Sequence, residues 1–308
     1  MTLIRKPSQL TTSANIKALV YGQPGLGKST IALSTPMPLL LDFDGGVHRI
    51  NTAHQCDTLQ VESYQQFLDV LQEDLTPYKT IVVDTVGKML DYMGNYIIEK
   101  EPKMGRKDGA LSLQGYGARK CEFVRILKLL SIMGKHVIFV AHEKEEKDGE
   151  TRFIRPEIGG SSGGDLIKEL DLVGYMEAIG KKRTISFDPC EKFYAKNTCN
   201  LPEKIEVPVI LDTTGMSIGK NVFMSGIFSA YAASLEKRKE MAGEYEVLID
   251  LIRSKVDEIT DGASANEFIE WVSGFDGFIW DSKLQASMMM VEKTKGLGLK
   301  LNKARRYE

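Results

Sequence analysis

Residues 22–30 of the chain read Gly22-Gln23-Pro24-Gly25-Leu26-Gly27-Lys28-Ser29-Thr30. Glycines at this spacing let backbone N–H groups wrap an anion. The lysine can reach further along that anion, and the serine hydroxyl can join a divalent cation. The pattern is GxxxxGK[ST], a phosphate-binding loop. Gly22 to Thr30 are therefore the candidate cradle for a nucleoside triphosphate, with Lys28 on the β and γ oxygens and Ser29 on magnesium. A second element fits the first: the apolar run "TIVVDT" ends in Asp84, an acid placed to hold the same ion.

The elements that must position these residues are short apolar runs separated by helical segments. "IKALVY" (16–21), "PLLLDF" (38–43), "TIVVDT" (80–85) and "HVIFVAH" (136–142) have strand length and continuous hydrophobicity, which suits strands covered on both faces. Helices are expected at Ser29 to Ser34, Tyr64 to Leu75, Val86 to Lys100 and Tyr116 to Met133. The alternation predicts an α/β fold with a doubly wound, mostly parallel sheet. A hairpin turning at Asp148-Gly149 and short strands at "TISFD" and "KFYAKN" should follow.

From about residue 226 the pattern becomes helical, so the chain divides into a core over 1–225 and a small C-terminal helical unit over 226–308. Capping-box patterns at Ser264 to Glu267 and Ser282 to Gln285 mark two of its helices. The unit ends in "KTKGLGLKLNKARRYE", with six basic residues against one acid, either a solvated tail or a contact for nucleic acid.

Composition narrows the function. At 308 residues with 43% hydrophobic and 27% charged residues, the chain has the make-up of a soluble globular protein. A net charge of −2 gives no global attraction to nucleic acid or anionic membrane, so such binding needs local patches. No apolar run approaches a membrane span, which places the chain in a cytoplasm. The four cysteines form no CxxC pair, and His48, His54 and Cys56 read as packing or solvated residues rather than a metal site.

Asp84-Thr-Val-Gly87 mimics a GTPase motif, but no NKxD follows to read guanine, so ATP is the expected nucleotide. A small-molecule kinase would need an arginine-rich lid that the sequence does not clearly supply. Ring-forming AAA+ ATPases usually end the second motif in Asp-Glu, whereas Asp84 is followed by Thr85. The water-activating carboxylate must come from elsewhere. "LLLDFDGG" offers it, if Asp42 and Asp44 end a strand beside the one that carries the loop.

As a set, "TIVVDTVGKML", "LLLDFDGG" and "VIFVAHE" resemble the second nucleotide motif, the second strand with its catalytic acid, and the sensor strand of the RecA family. With the later "YAKN", residues 14–215 look like phage-encoded RecA-core ATPases grouped with single-strand annealing proteins. The resemblance implies that Lys28 acts on the phosphates, Ser29 and Asp84 on Mg2+, Asp44 in place of the catalytic glutamate and His142 as the γ-phosphate sensor. It also implies single-stranded DNA as partner, a homo-oligomeric filament or ring and, by extension, a single-strand-binding protein.

In that family the loops after the second motif and the sensor strand touch DNA, which here means residues 100–120 and 143–164. The first carries six basic residues against two acids, and Lys103, Arg106, Lys107, Arg119 and Lys120 are its candidates. Arg152 and Arg155 are those of the second. Lys181, Lys182, Arg183 and Lys196 could line the groove or reach a neighbour's triphosphate. The expected activity is a slow, DNA-stimulated ATPase, and the alternative is a nucleotide-gated binding protein with little turnover.

Overall fold

The computed structural model describes Arg5, Gln9 and residues 14–148, 151–180, 182–303 and 305–308; Gly149 of the expected hairpin turn and Lys181 lie outside them. The chain forms two compact units, one spanning Ser13–Tyr231 and one built on Ala232–Glu308.

In the first unit the order is β1 (Lys17–Gly22), α1 (Lys28–Ala32), β2 (Pro38–Asp42), β3 (Thr58–Gln60), α2 (Tyr64–Val70), β4 (Thr80–Asp84), α3 (Val86–Lys100), α4 (Leu113–Ile132), β5 (His136–Asp148), β6 (Thr151–Pro156), α5 (Ser162–Glu169), β7 (Leu172–Ile179), β8 (Lys182–Ser186), β9 (Lys196–Asn197) and β10 (Lys204–Glu206). The sheet runs β10-β8-β7-β1-β5-β4-β2-β3, with β6 paired to β5 and β9 to β7. Pairs from β7 through β3 are parallel, whereas β8, β9, β10 and β6 pair antiparallel.

Alternate residues of each central strand serve the two faces. Leu19, Tyr21, Ile81, Val83 and Phe139 pack with Phe67 of α2, Met89 and Met93 of α3, and Phe123 and Ile126 of α4. Val20, Val82, Ile138 and Val140 pack on the other face with Ile31 of α1 and with Met224, Ile227 and Phe228, which open α6 (Phe223–Asp257). Both faces are covered, which is why the strands read as unbroken apolar runs. Side-chain caps fix the helix starts: Ser63 accepts from Gln66 N–H, Thr85 from Lys88 N–H and Ser112 from Gly115 N–H.

Several elements depart from expectation. The strand carrying Asp42 does not flank the strand of the phosphate loop: β2 pairs with β3 and β4, and β1 lies between β5 and β7. β7 was not expected from the sequence, although it is a direct neighbour of β1. A side chain at its Gly174 would collide with Ile185 and Phe187. Gly163 and Gly164, within the expected second DNA loop, lie inside α5. α2 stops at Val70, and Asp74 then folds back on Thr76 ahead of Pro77. "KFYAKN" contributes only the two residues of β9.

The second unit holds the end of α6, α7 (Gly262–Gly274) and α8 (Ser282–Gly296), packed through Leu248, Ile252, Val256, Phe268 and Ala286. Its caps lie upstream of the expected positions. Asp261, not Ser264, caps α7, and Ser264 answers from the third position of a reciprocal box. Asp281 holds the N-cap position of α8 without a side-chain bond to the helix backbone, and its carboxylate receives the Gln285 side-chain amide. The C-terminal stretch is not a free tail: Lys300 and Glu308 exchange backbone hydrogen bonds at 2.9 and 3.0 Å, and the Asn266 amide brackets Tyr307. Among the described residues no helix is long and apolar enough to cross a membrane.

Candidate functional site

The phosphate loop leaves β1 at Gly22, where φ is 154° and any Cβ would strike Met176 O of β7. Gly25 and Gly27 follow with φ of 83° and 87°. These are glycine conformations, and they shape the concave backbone that accepts phosphate. Lys28, at the first position of α1, is 6% exposed and donates from Nζ to Gln23 O at 2.7 Å. Burial holds its ammonium below the usual lysine range, against the charges of Asp84, Glu143 and Asp44. The ammonium is thus satisfied on the loop that it would serve.

The acids converge from β2 and β4. Asp84, 8% exposed, ends β4, and the peptide after it is cis. Its carbonyl accepts from Phe43 N–H at 2.7 Å and Asp44 N–H at 3.2 Å, tying the exit of β2 to the end of β4. Burial pushes its carboxyl up to about 6, with the Ser29 hydroxyl opposing, Asp42 and Asp44 adding to the rise, and Lys28 opposing. A crowded acid beside a hydroxyl is short of positive charge, so Ser29 and Asp84 fit a divalent cation.

Asp42 and Asp44 divide two tasks that the sequence left undivided. Asp42 is buried and accepts from Gly46 N–H at 3.0 Å and Val47 N–H at 2.9 Å, so it, and not Asp44, closes the turn. Asp44 lies past the end of β2, with a side chain 24% exposed and Arg49 at 3.7 Å. It is the acid with free capacity.

His142 is paired with Gly22 across the β5–β1 ladder, and its Nδ1 is buried without a hydrogen-bond partner. Glu143 follows, with Oε2 also buried and unpartnered. Its charge acts on Lys28 and, after burial, raises the hydroxyl of Tyr175, whose ring lies 5.3 Å from that of Tyr21. Tyr21 in turn donates to Tyr194 O at 2.6 Å. Sequence reasoning gave Glu143 no role because it opens the acidic run of a surface hairpin. Its place directly after the sensor position is only a weak signal, since its approach to Lys28 follows from the pairing of β5 with β1.

A family model described as an AAA domain matches residues 14–199, which include the loop, Asp44, Asp84, His142 and Glu143. The chain belongs to the AAA domain family. No curated protein matches it. Among solved structures it is similar to one described as an ATPase domain, at 9% identity and a TM-score of 0.36, over 63% of this chain and 81% of that one. This AAA domain is a P-loop nucleoside triphosphatase core whose second motif ends Asp84-Thr85.

The basic residues of the AAA domain are arranged differently from the exposed loops expected. Residues 113–120 are the first turns of α4, and 101–112 connect α3 to it through a short 3-10 turn (Pro102–Met104) and a loop closed by a bridge between Gly105 and Leu111. Arg119 is not on an exposed loop: it is 8% exposed, lies against the Tyr116 ring and donates to Gly159 O at 3.4 Å, so it pins α4 to the segment after β6. Lys103 pairs with Glu101, Arg106 with Asp108, Lys120 with Asp165, Arg152 with Glu145 and Arg155 with Glu146. Lys107 has no ion-pair partner among the described residues. Arg155 also stacks on Tyr194 at 4.1 Å.

Proposed function

We propose that the chain is an ATPase that binds single-stranded DNA and serves recombination or annealing as a homo-oligomeric filament or ring, with a single-strand-binding protein as a further partner. The nucleotide part rests on the convergence of Lys28, Ser29, Asp84 and Asp44 with two buried polar atoms that lack partners, on His142 and Glu143. Lys28 would exchange Gln23 O for the β and γ oxygens. Ser29 and Asp84 would hold Mg2+, which supplies neutralising charge to the phosphates. Asp44 would orient a water and accept its proton, and His142 would report the γ-phosphate from the end of β5. The DNA part rests on the family resemblance, the hairpin that continues from His142 and the loop bearing Lys107.

The alternative, a nucleotide-gated binding protein with little turnover, is favoured by one observation: most of the basic side chains proposed for DNA already have carboxylate partners. One assay separates the two. ATP hydrolysis measured with and without single-stranded DNA should rise with DNA and vanish in Lys28→Ala. Nucleotide binding without hydrolysis, unchanged by DNA, would select the alternative.

A further inference from the structure

Arg183 occupies a position that the sequence left open between DNA and a neighbour's nucleotide. β7 is parallel to β1, so both strands end at the edge of the sheet that carries the phosphate loop. β8 starts from that edge, and its second residue, Arg183, is paired with Ala178 of β7. Its backbone is held further by Val207 N–H, which donates to Arg183 O at 2.9 Å. From there the half-buried side chain reaches past β7 to the loop of its own subunit. Nη1 donates to Leu26 O at 3.3 Å and lies 2.9 Å from where a Cβ on Gly27 would stand.

The charge around it is as telling. Lys182 pairs with Glu206, and Lys204 pairs with Glu177. Arg183 has no carboxylate partner among the described residues, although it is better sheltered than Lys182. A guanidinium satisfied by one backbone carbonyl keeps most of its five donors for another acceptor. An anion seated in the loop would lie against the same backbone that Nη1 already touches.

We propose that Arg183 binds the phosphates of the nucleotide held by its own loop, exchanging Leu26 O for a phosphate oxygen and so gripping the loop from the β7 side. The proposal rests on the nucleotide reading of that loop. A residue that completes a neighbour's site would project away from its own loop, and this one lies on it.

The test is equilibrium binding of a fluorescent ATP analogue to the full chain, to Arg183→Ala and to Arg183→Gln, with folding checked by circular dichroism and thermal midpoint. Losing hydrogen bonds to a charged group should weaken ATP binding by ~10- to 100-fold. At least one of the two variants should keep the wild-type midpoint. Mixing Arg183→Ala with excess Lys28→Ala, which retains Arg183 but lacks its own site, should leave the affinity low. Wild-type affinity in the folded variants overturns the proposal, and so does recovery on mixing, which assigns Arg183 to the neighbour. Failure of the wild-type chain itself to bind ATP removes the nucleotide reading, and this proposal with it.

Discussion

Asp84→Asn should stabilise the ligand-free, magnesium-free protein at neutral pH while removing an acid meant for the nucleotide's cation. Burial, reinforced by Asp42 and Asp44, moves the Asp84 carboxyl from 3.8 to about 6. The folded state therefore binds a proton there more tightly than the unfolded chain. Native protein holds the extra proton as pH climbs from 3.8 to about 6, so stability falls across that window and the loss is complete above it. The two values differ by ~2 pH units, which at about 1.36 kcal/mol each is ~3 kcal/mol. An asparagine of the same shape carries no such penalty. The stability gap between variant and wild type should be smallest near about pH 4 and grow to ~3 kcal/mol by about pH 8. With a urea slope of ~2–3 kcal/mol per molar, the midpoint shift is ~1 M. Urea melts in a chelator across this range measure it, and titrations shared by the two proteins cancel. A gap independent of pH, or a variant less stable than wild type at the alkaline end, would refute the reasoning. Magnesium and ATP should reverse the order, because only the wild type gains by binding.

The neighbouring acids should separate cleanly. Asp44→Asn should keep fold stability and ATP binding but lower turnover by ~100-fold, whereas Asp42→Asn should cost ~1–3 kcal/mol by leaving a turn N–H unmet. Intact hydrolysis in Asp44→Asn with loss in Glu143→Gln would move the base to Glu143. Removing the charges of Lys103, Arg106 and Lys107 together should weaken single-strand binding and flatten its salt dependence, with Lys107 responsible for most of the change. An unchanged slope would relocate the DNA site. Gly115→Ala should destabilise by ~1–3 kcal/mol in urea melts despite the better helix former, since its Cβ would meet Met104 O and Leu111. A stabilised variant would mean that the 104–111 loop does not seat on α4.

The phosphate loop was legible because its nine residues are contiguous and each type has a chemical reason, and Asp84 because an apolar strand ending in an acid completes the same site. Neighbourhood in the sheet was not. Nothing in "LLLDFDGG" says whether its strand lies beside β1 or, as it does, beside β4. β7 was hidden by Gly174, which reads as a break but is the space that Ile185 and Phe187 fill. Arg119 was counted as surface charge, yet the helical period already placed it with Gly115 and Phe123 on the buried face of α4. Glu143 needed three dimensions: only pairing of β5 with β1 brings an apparent hairpin residue beside Lys28.

β5 is a single extended strand from His136 to Asp148. Its first part is clamped between β1 and β4, and from Glu143 onward its ladder partner is β6. The two side chains with an unpartnered buried atom, His142 and Glu143, stand where the ladder partners of β5 change. Such a strand behaves as a beam held at its base, which extends to Glu145, because the Ile154 opposite it is bonded through its backbone to Lys192 and Tyr194. The three residue steps from Glu145 to Asp148 span ~10 Å, so a tilt of ~10° at the pivot carries the far end ~2 Å. A displacement at His142 and Glu143 too small to reorganise the core would be magnified where the hairpin meets its surroundings. The amplification needs no hinge, because the stiffness of one uninterrupted strand provides it.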